Sequence, residues 1–288
     1  MPPAADEAMT TKARTGEVFE LEMLGGAFER RYRKMRPEVA AMPWGTLDLS
    51  RVPESRRIAA RRAWTGAAYQ EHRTGVACCA TLRALMEARA PLDLIALASR
   101  FPLDEMVHVE LCARMAMECG GGTEIVHDPS AMVLDADPAL PPIMRAAELI
   151  VRFFCVGEAL SIPLLRGTWH AAQHPLPRAV LGRIVRDEAA HGTFGFDFLD
   201  WALPMLDASQ AAHLGRQADI AIGAIRRLWA DLEARPAQPT FEGDALAWMQ
   251  TDAYLALARR SLRDKVVRPL TARGVPLSAR STAGLPPA

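Results

Sequence analysis

The sequence has little of several features that would place the protein in other classes. Its 288 residues include five cysteines, an odd number at irregular spacing and without a Cys-x-x-Cys pair. This pattern argues against a disulfide framework and indicates reduced thiols. The 34 basic and 34 acidic residues leave no formal net charge, so charge gives no support for a nucleic-acid or anionic-membrane partner.

Long hydrophobic runs are also lacking. The most apolar stretch, LIVRFFCVGEALSIPLL, is interrupted by Arg152 and Glu158, which argues against a membrane span. The first residues, MPPAADEAMTTKARTGE, contain no apolar core of the kind found in secretory signals. Together with the reduced thiols, these absences predict a cytoplasmic protein.

Strand signals are nearly absent, and long segments rich in Ala, Leu, Arg and Glu are separated by Pro, Gly and Asp. This composition predicts an all-α fold. The predicted helices cover residues 53–89, 93–119, 140–173, 177–203, 207–234 and 243–272.

The connections between these helices predict a topology. Short links join the first helix to the second and the third to the fourth, so each pair should be antiparallel, and the longer link 123–139 connects the pairs. This layout is typical of a four-helix bundle with one crossover connection. The predicted organisation is an N-terminal extension (1–52) with a short helix over 17–35, the bundle (53–205), two C-terminal helices packed on it (206–275) and a disordered tail (276–288).

Each of the first four helices has an apolar stripe with one carboxylate near its middle. These residues are Glu71, Glu105, Glu158 and Glu188, and two of the stripes add a histidine one turn later, His108 and His191. An unpaired buried charge costs several kcal/mol, and no Lys or Arg lies on these stripes. Two divalent metal ions would neutralise four carboxylates, and two neutral imidazoles would complete the ligand set.

The constellation occurs twice. DEMVH at 104–108 corresponds to DEAAH at 187–191, and the single glutamate precedes the paired motif by 34 residues in the first half and by 30 in the second. Residues three apart on a helix lie on one face, so each Glu-x-x-His pair can hold one metal. Glu71 and Glu158 are then expected to bind or bridge from the other two helices. One Glu-x-x-His occurs by chance in many helices, but two matched copies strongly favour a dinuclear metal site.

These motifs resemble those of the ferritin-like di-iron carboxylate superfamily, which includes bacterioferritin, rubrerythrin, the small subunit of ribonucleotide reductase and several di-iron oxygenases. The resemblance covers roughly residues 60–200. It implies metal ligation by Glu71, Glu105, His108, Glu158, Glu188 and His191. It further implies that Asp104 and Asp187 accept the second N–H of a ligating histidine across the bundle, where each would otherwise be a solvated helix residue.

The superfamily does not fix the reaction, and three classes remain open: an O2-activating oxidase or oxygenase, a ferroxidase or peroxide scavenger, and a structural or radical-harbouring protein. We favour the first, because the chain is much longer than a minimal ferritin subunit. It would use two iron ions, with manganese or a mixed Mn/Fe pair as alternatives, together with O2, a small organic substrate and an electron donor. We expect no nucleic-acid or membrane partner, and the chain is compatible with a homodimer.

Three residues near the presumed ligands bear on this choice. Pro163 follows Glu158 and removes a backbone hydrogen bond, which predicts a kink or a π-bulge that lets the ligand move. Gly75 and Gly195 each lie four residues after a presumed ligand. They either leave space for a substrate or allow two helices to pack closely.

Overall fold

The computed structural model describes residues 17–234 and 249–286. The fold is all-α, as predicted. Within the described residues there is no strand, and the one β-type contact is an isolated antiparallel bridge between Val18 and Val126. No helix in this part of the chain combines the length and apolar character needed to cross a bilayer.

Four long helical segments correspond to the first four predicted helices. They are α3 (Glu54–Glu87), α4 (Leu92–Glu118), a composite third segment and α7 (Pro175–Ala202). The third segment consists of α5 (Pro142–Ile150), a π-helical stretch (Val151–Glu158) and α6 (Ala159–Ala171).

Proline and glycine set most of these boundaries. Pro53, Pro91 and Pro141 precede the first residues of α3, α4 and α5, where the missing N–H of proline has no helical partner to lose. The segment after α4 turns at Gly120 and Gly121, whose φ angles of 106° and 113° suit glycine. The following crossover contains a short 3₁₀ turn (Pro129–Met132).

The four segments pack around a common core, each against two neighbours, in an arrangement called the ring below. α3 packs against α4, α4 against α7, α7 against α5 and α6, and α5 against α3. This packing is consistent with the predicted four-helix arrangement. The stripes that the sequence assigns to the core face the middle of the ring, where Trp64, Phe101, Met115, Phe154 and Phe198 are buried.

The π-helical stretch is the main irregularity of the ring, and it ends at Glu158. The N–H of the next residue, Ala159, donates to the carbonyl of Phe154, five residues earlier. Pro163 lies one turn further on, inside α6. The predicted irregularity is therefore present, as a π-helix that precedes the proline.

The N-terminal region differs from the predicted helix over 17–35. Only α1 (Gly26–Lys34) is helical, because Gly25 and Gly26 have φ angles of 78° and 56°, which end the helix on its N-terminal side. Residues 17–19 instead pair with the crossover, and the Phe19 N–H donates to the carbonyl of Ile125 at 2.8 Å. The connector that follows contains a second short helix, α2 (Pro37–Ala40).

The C-terminal region packs on the composite third segment. α8 (Ala208–Glu233) follows a 3₁₀ turn (Leu203–Met205) and contacts the π-helical stretch, and α9 (Thr251–Ser261) contacts α6. A second π-helical stretch (Leu262–Val267) leads into α10 (Arg268–Ala272). Of the predicted helix 243–272, residues 243–248 lie outside the described residues.

The tail also differs from the prediction of disorder over 276–288. Its described part forms α11 (Ala279–Thr282), in which Ser281 is buried. The Arg226 guanidinium of α8 donates to the carbonyls of Ser281 and Ala283, and Asp219 accepts hydrogen bonds from Ser278 and Ser281. The polar composition of the tail suggested disorder, but its backbone groups find partners on α8 that the sequence does not reveal.

Candidate metal centre

The six residues that the sequence singles out as ligands converge in the middle of the ring. Glu71 comes from α3, Glu105 and His108 from α4, Glu158 from the end of the π-helical stretch, and Glu188 and His191 from α7. They form two overlapping groups, and within each group the ligand atoms lie within 4.8 Å of one another. The first group is Glu71, Glu105, His108 and Glu188, and the second is Glu158, Glu188 and His191. All are buried except Glu71, whose side chain is 15% exposed.

The first group is arranged around the Nδ1 atom of His108. This nitrogen lies 3.3 Å from Glu188 Oε1, 3.6 Å from Glu105 Oε2 and 3.9 Å from Glu71 Oε2. The carboxylates of three different helices therefore approach one imidazole nitrogen.

The second group is arranged around the Nδ1 atom of His191, which lies 3.2 Å from Glu105 Oε1 and 3.2 Å from Glu188 Oε2. Glu105 and Glu188 thus each have one oxygen near either histidine. The sequence led us to expect Glu71 and Glu158 to bind or bridge. The structure places Glu105 and Glu188 in the shared position and one of the other two glutamates on either side.

The two aspartates of the repeated motif face the far sides of the imidazoles. His108 Nε2 lies 3.1 Å from Asp187 Oδ2, and His191 Nε2 lies 3.5 Å from Asp104 Oδ2. Each aspartate therefore faces the histidine of the other half. When a carboxylate accepts the Nε2–H of an imidazole, the Nδ1 lone pair is directed to the opposite side, which here is the cluster.

Two arginines that the sequence prediction omitted compensate these aspartates. Arg100 Nε lies 2.9 Å from Asp104 Oδ2 and Arg100 Nη2 lies 3.4 Å from Asp187 Oδ1, while Arg183 forms an ion pair with Asp187. Arg100 and Arg183 each precede their aspartate by four residues, so the repeat is longer than five residues. It extends to Arg-x-x-x-Asp-Glu-x-x-His, RFPLDEMVH and RIVRDEAAH, and comparison of the two halves over nine residues would have found it.

The inner atoms of the cluster face only one another. Both oxygens of Glu105, Oε2 of Glu188 and Nδ1 of both histidines are buried without a hydrogen-bond partner among the described residues. No Lys or Arg of the described chain forms an ion pair with any of the four glutamates. Buried polar atoms almost always have partners, so this inward-facing set fits a bound cation. Four carboxylates and two imidazoles could hold a metal ion.

The pKa values of four cluster residues show which groups hold protons in the metal-free protein. Burial, and next the charge of Glu105, raise the pKa of Glu71 well above its usual value, and burial with the charge of Glu188 does the same for Glu158. Burial opposes protonation of His191, but contacts with Asp104, Glu105 and Glu188 outweigh it and raise the pKa to about 12. The pKa of His108 is also raised well above its usual value, because the carboxylates outweigh burial.

Aromatic and thiol groups close the space around the cluster. The ring of Phe101 lies 4.2 Å from that of His191, and Phe154 and Phe194 pack on Phe101 at 5.6 and 5.1 Å. Burial, with the nearby carboxylates, raises the pKa of the Cys78 and Cys112 thiols well above the usual value, so both are neutral. This surrounding excludes water and strengthens electrostatic interactions within the cluster.

Gly75 and Gly195 leave no space beside the cluster. A methyl group at Gly195 would lie 2.7 Å from Cys155 Sγ and 2.9 Å from Cys155 N, and one at Gly75 would lie 2.6 Å from Met106 Cε. Of the two alternatives that the sequence left open, close packing applies at both positions. At Gly195 it allows α7 to approach the backbone of the π-helical stretch.

Comparison of the chain with protein-family models, with curated proteins and with solved structures gave no match. What the centre does is therefore inferred from its own residues.

Proposed function

We propose that this chain is a non-haem di-iron oxidase or oxygenase, which uses O2 to oxidise a small organic substrate. The observation that carries the proposal is the enclosed set of four glutamates and two imidazole nitrogens, with no Lys or Arg of the described residues paired with the glutamates. Such a set occurs in the ferritin-like di-iron proteins, in which two helices each supply a Glu and two each supply a Glu-x-x-His. Two divalent ions would neutralise the four carboxylates.

The metal would be iron, with manganese or a mixed Mn/Fe pair as alternatives, since carboxylate-rich sites with two imidazoles suit these ions. Bound iron would supply the electrons that reduce O2, and a separate electron donor would restore them. His108 and His191 would hold the metals through Nδ1, while Asp187 and Asp104 fix the orientation of the two rings. Glu105 and Glu188, which each have one oxygen near either histidine, would help to hold the metals.

The π-helical stretch supports a mobile role for Glu158. Its hydrogen bonds follow the i to i−5 pattern, and such segments are frequent at functional sites. The Ser161 hydroxyl lies 3.0 Å from the carbonyl oxygen of Glu158 and 3.3 Å from its Oε2. The hydroxyl can donate to either oxygen. If the Glu158 carboxylate moves away, the hydroxyl keeps its bond to the carbonyl, so little is lost by the movement.

The C-terminal helices favour substrate oxidation over iron storage. α8 and α9 pack on the outer side of the segment that carries Glu158, where they can form the walls of a substrate site. The proposal further includes a cytoplasmic location and a reductant, and it involves neither nucleic acid nor a membrane. A homodimer is compatible with it.

The test is anaerobic loading with Fe(II) followed by a pulse of O2, with absorbance and bound iron measured with and without candidate substrates. We expect about two iron ions per chain, retained after the reaction. We also expect O2 consumption in proportion to the number of loaded sites. Repeated oxidation of many Fe(II) ions per chain with growth of a mineral would establish the ferroxidase alternative. Stoichiometric zinc bound at other residues would contradict both.

A further inference from the structure

A groove of about 470 Å³ lies beside the composite third segment, between it and helices α8 and α9. This volume is within the range of roughly 300–1,000 Å³ that is typical of small-molecule sites. From the four-helix ring it is lined by Gln70, Gly157 and Ser161, and Gln70 and Gly157 immediately precede Glu71 and Glu158. The groove therefore lies beside the parts of α3 and of the π-helical stretch that carry the two single glutamates of the cluster.

Three observations connect this groove with the cluster. Ser161 both lines the groove and contacts the Glu158 carboxylate. Glu71 and Glu158 are the least buried of the six residues of the cluster. On the imidazole side, by contrast, Asp104 and Asp187 with their arginines occupy the space behind both rings. The groove therefore adjoins the carboxylate side of the cluster, with Ser161 between its lining and Glu158.

The walls of the groove define the chemistry of its occupant. They are predominantly apolar, with side chains from α6, α8 and α9: Leu160, Leu164, Ile225, Leu228, Trp229 and Tyr254. Leu228 is 63% exposed at the rim of the groove. The described lining contains no Lys or Arg, and its one charged side chain is Asp231. An anionic molecule would therefore meet no cationic side chain in the described lining, and Asp231 would repel it.

We infer that this groove binds the substrate of the oxidase proposed above, on which the inference rests, and that this substrate is an uncharged, predominantly apolar molecule. A second groove of about 550 Å³ on another face of α6 has the opposite character. Arg166 and Lys265 line it, and no described acidic residue does. A third groove, lined by Arg226, Arg227 and Arg280 together with Asp219, also offers cations. Anions therefore have binding places outside the apolar groove, and the experiment must identify which groove a probe occupies.

Leu228 provides this identification, and α8 offers a matched control. Leu228 lines the apolar groove, while Ile220, two turns earlier on α8, is 60% exposed and lines the third groove instead. Binding of 2-naphthol, 2-naphthoate and 2-naphthylmethylammonium would be measured by calorimetry on wild type, Leu228→Gln and Ile220→Gln. Both metal-free protein and protein loaded anaerobically with Fe(II) would be used. Both substitutions lie on the surface, so the fold should persist, and circular dichroism would check it.

We expect 2-naphthol to bind, with an affinity about fivefold lower in Leu228→Gln and unchanged in Ile220→Gln, because apolar contact area is lost only in the first. Binding of 2-naphthoate that depends on Leu228 should be weaker than that of 2-naphthol by about tenfold or more, since the groove offers its charge no partner. The inference is overturned if 2-naphthol binding does not depend on Leu228. It is also overturned if either charged probe binds in a Leu228-dependent way as tightly as 2-naphthol.

The same measurements separate this inference from the proposed function. If the chain binds no iron but Leu228-dependent binding of 2-naphthol persists, the groove is a binding site and the oxidase proposal fails. If the protein binds iron and consumes O2 while 2-naphthol does not bind, only the inference about the groove fails.

Discussion

The inner and outer carboxylates of the centre are buried by different physical means. Asp104 and Asp187 are paired with Arg100 and Arg183, so their charge is neutralised by the protein itself. The four inner glutamates face one another and two imidazoles, and no arginine or lysine of the described chain reaches them. A charge that the protein does not neutralise requires protons or a bound cation. The contrast shows which acids stabilise the site and which are available for a ligand.

The largest effect is expected when two buried glutamates of the composite third segment are substituted and compared. Glu158 belongs to the inner set, whereas Glu148 on α5 is paired with His213 at 2.9 Å and with Arg152. We expect Glu158→Gln to lower the bound metal from about two ions per chain to one or fewer, because a ligand is lost. The metal-free protein should become more stable by about 1 kcal/mol at neutral pH, because glutamine is neutral without the proton that burial forces the Glu158 carboxyl to take up.

Glu148→Gln is the matched control. It should leave metal content unchanged and destabilise the protein by about 1–3 kcal/mol, because His213 and Arg152 lose a partner. Metal analysis and chemical denaturation of the chelator-treated proteins would measure both effects. Equal metal loss in the two variants would show that an inner glutamate and a glutamate paired by the protein do not differ in metal binding.

A smaller effect is expected from the outer acids. Asp187→Asn should weaken metal binding by roughly 10- to 100-fold without abolishing it, because the amide orients the His108 ring less well. Asp104→Asn should act in the same way through His191. Asp200→Asn, on the same helix α7 but paired with the partly exposed Arg273, is the control and should leave affinity unchanged. Competition with a chromophoric chelator would give the affinities, and a complete loss of metal in Asp187→Asn would place this residue among the ligands.

The smallest effect concerns pH and the metal-free protein. The pKa values of Glu71, Glu158, His108 and His191 are raised in the folded chain. Groups with raised values bind protons more tightly when folded, so their stabilisation is lost as pH rises above the unfolded values. Between about pH 6 and pH 9 the metal-free protein should lose stability on the order of 1 kcal/mol, while metal binding should become tighter because protons no longer compete.

Thermal unfolding at several pH values, with chelator and with saturating Mn(II), would measure this. The pKa of Asp104 and that of Glu188 are lowered, Glu188 because its contacts with His108 and His191 outweigh burial. Neither contributes to this change, since the stabilisation from a lowered pKa is lost only at acidic pH. If the metal-free protein became more stable with rising pH, Glu71 and Glu158 would not be held protonated by burial.

Much of the centre could be predicted from the sequence, because helical periodicity decides which face of a helix a residue occupies. This was sufficient to bring Glu71, Glu105, Glu158 and Glu188 to the same core with both histidines. Periodicity does not fix how helices are rotated and spaced against each other. The shared position of Glu105 and Glu188, and the close packing at Gly195, depend on that spacing and were visible only in the structure.

Local irregularity set a second limit. Pro163 indicated a departure from the α-helix. The proline does not specify that the departure lies upstream of it, in the eight residues Val151–Glu158, or that it takes the π form. Pairing between distant segments was equally hidden: the strap formed by residues 17–19 and the docking of α11 rely on partners far along the chain. No local pattern in the sequence identifies such partners.

The reciprocal contacts of the two halves, Asp187 with His108 and Asp104 with His191, have a consequence for symmetry. In a homodimer with a twofold axis, residue i of one subunit contacts residue j of the other, and j contacts i in return. The centre follows this rule within one chain, as if two half-length subunits had been fused through the crossover. Neither half orients its own imidazole, so neither can assemble a working site alone. Changes that improve one half are therefore constrained by the other, as they would be across an obligate interface.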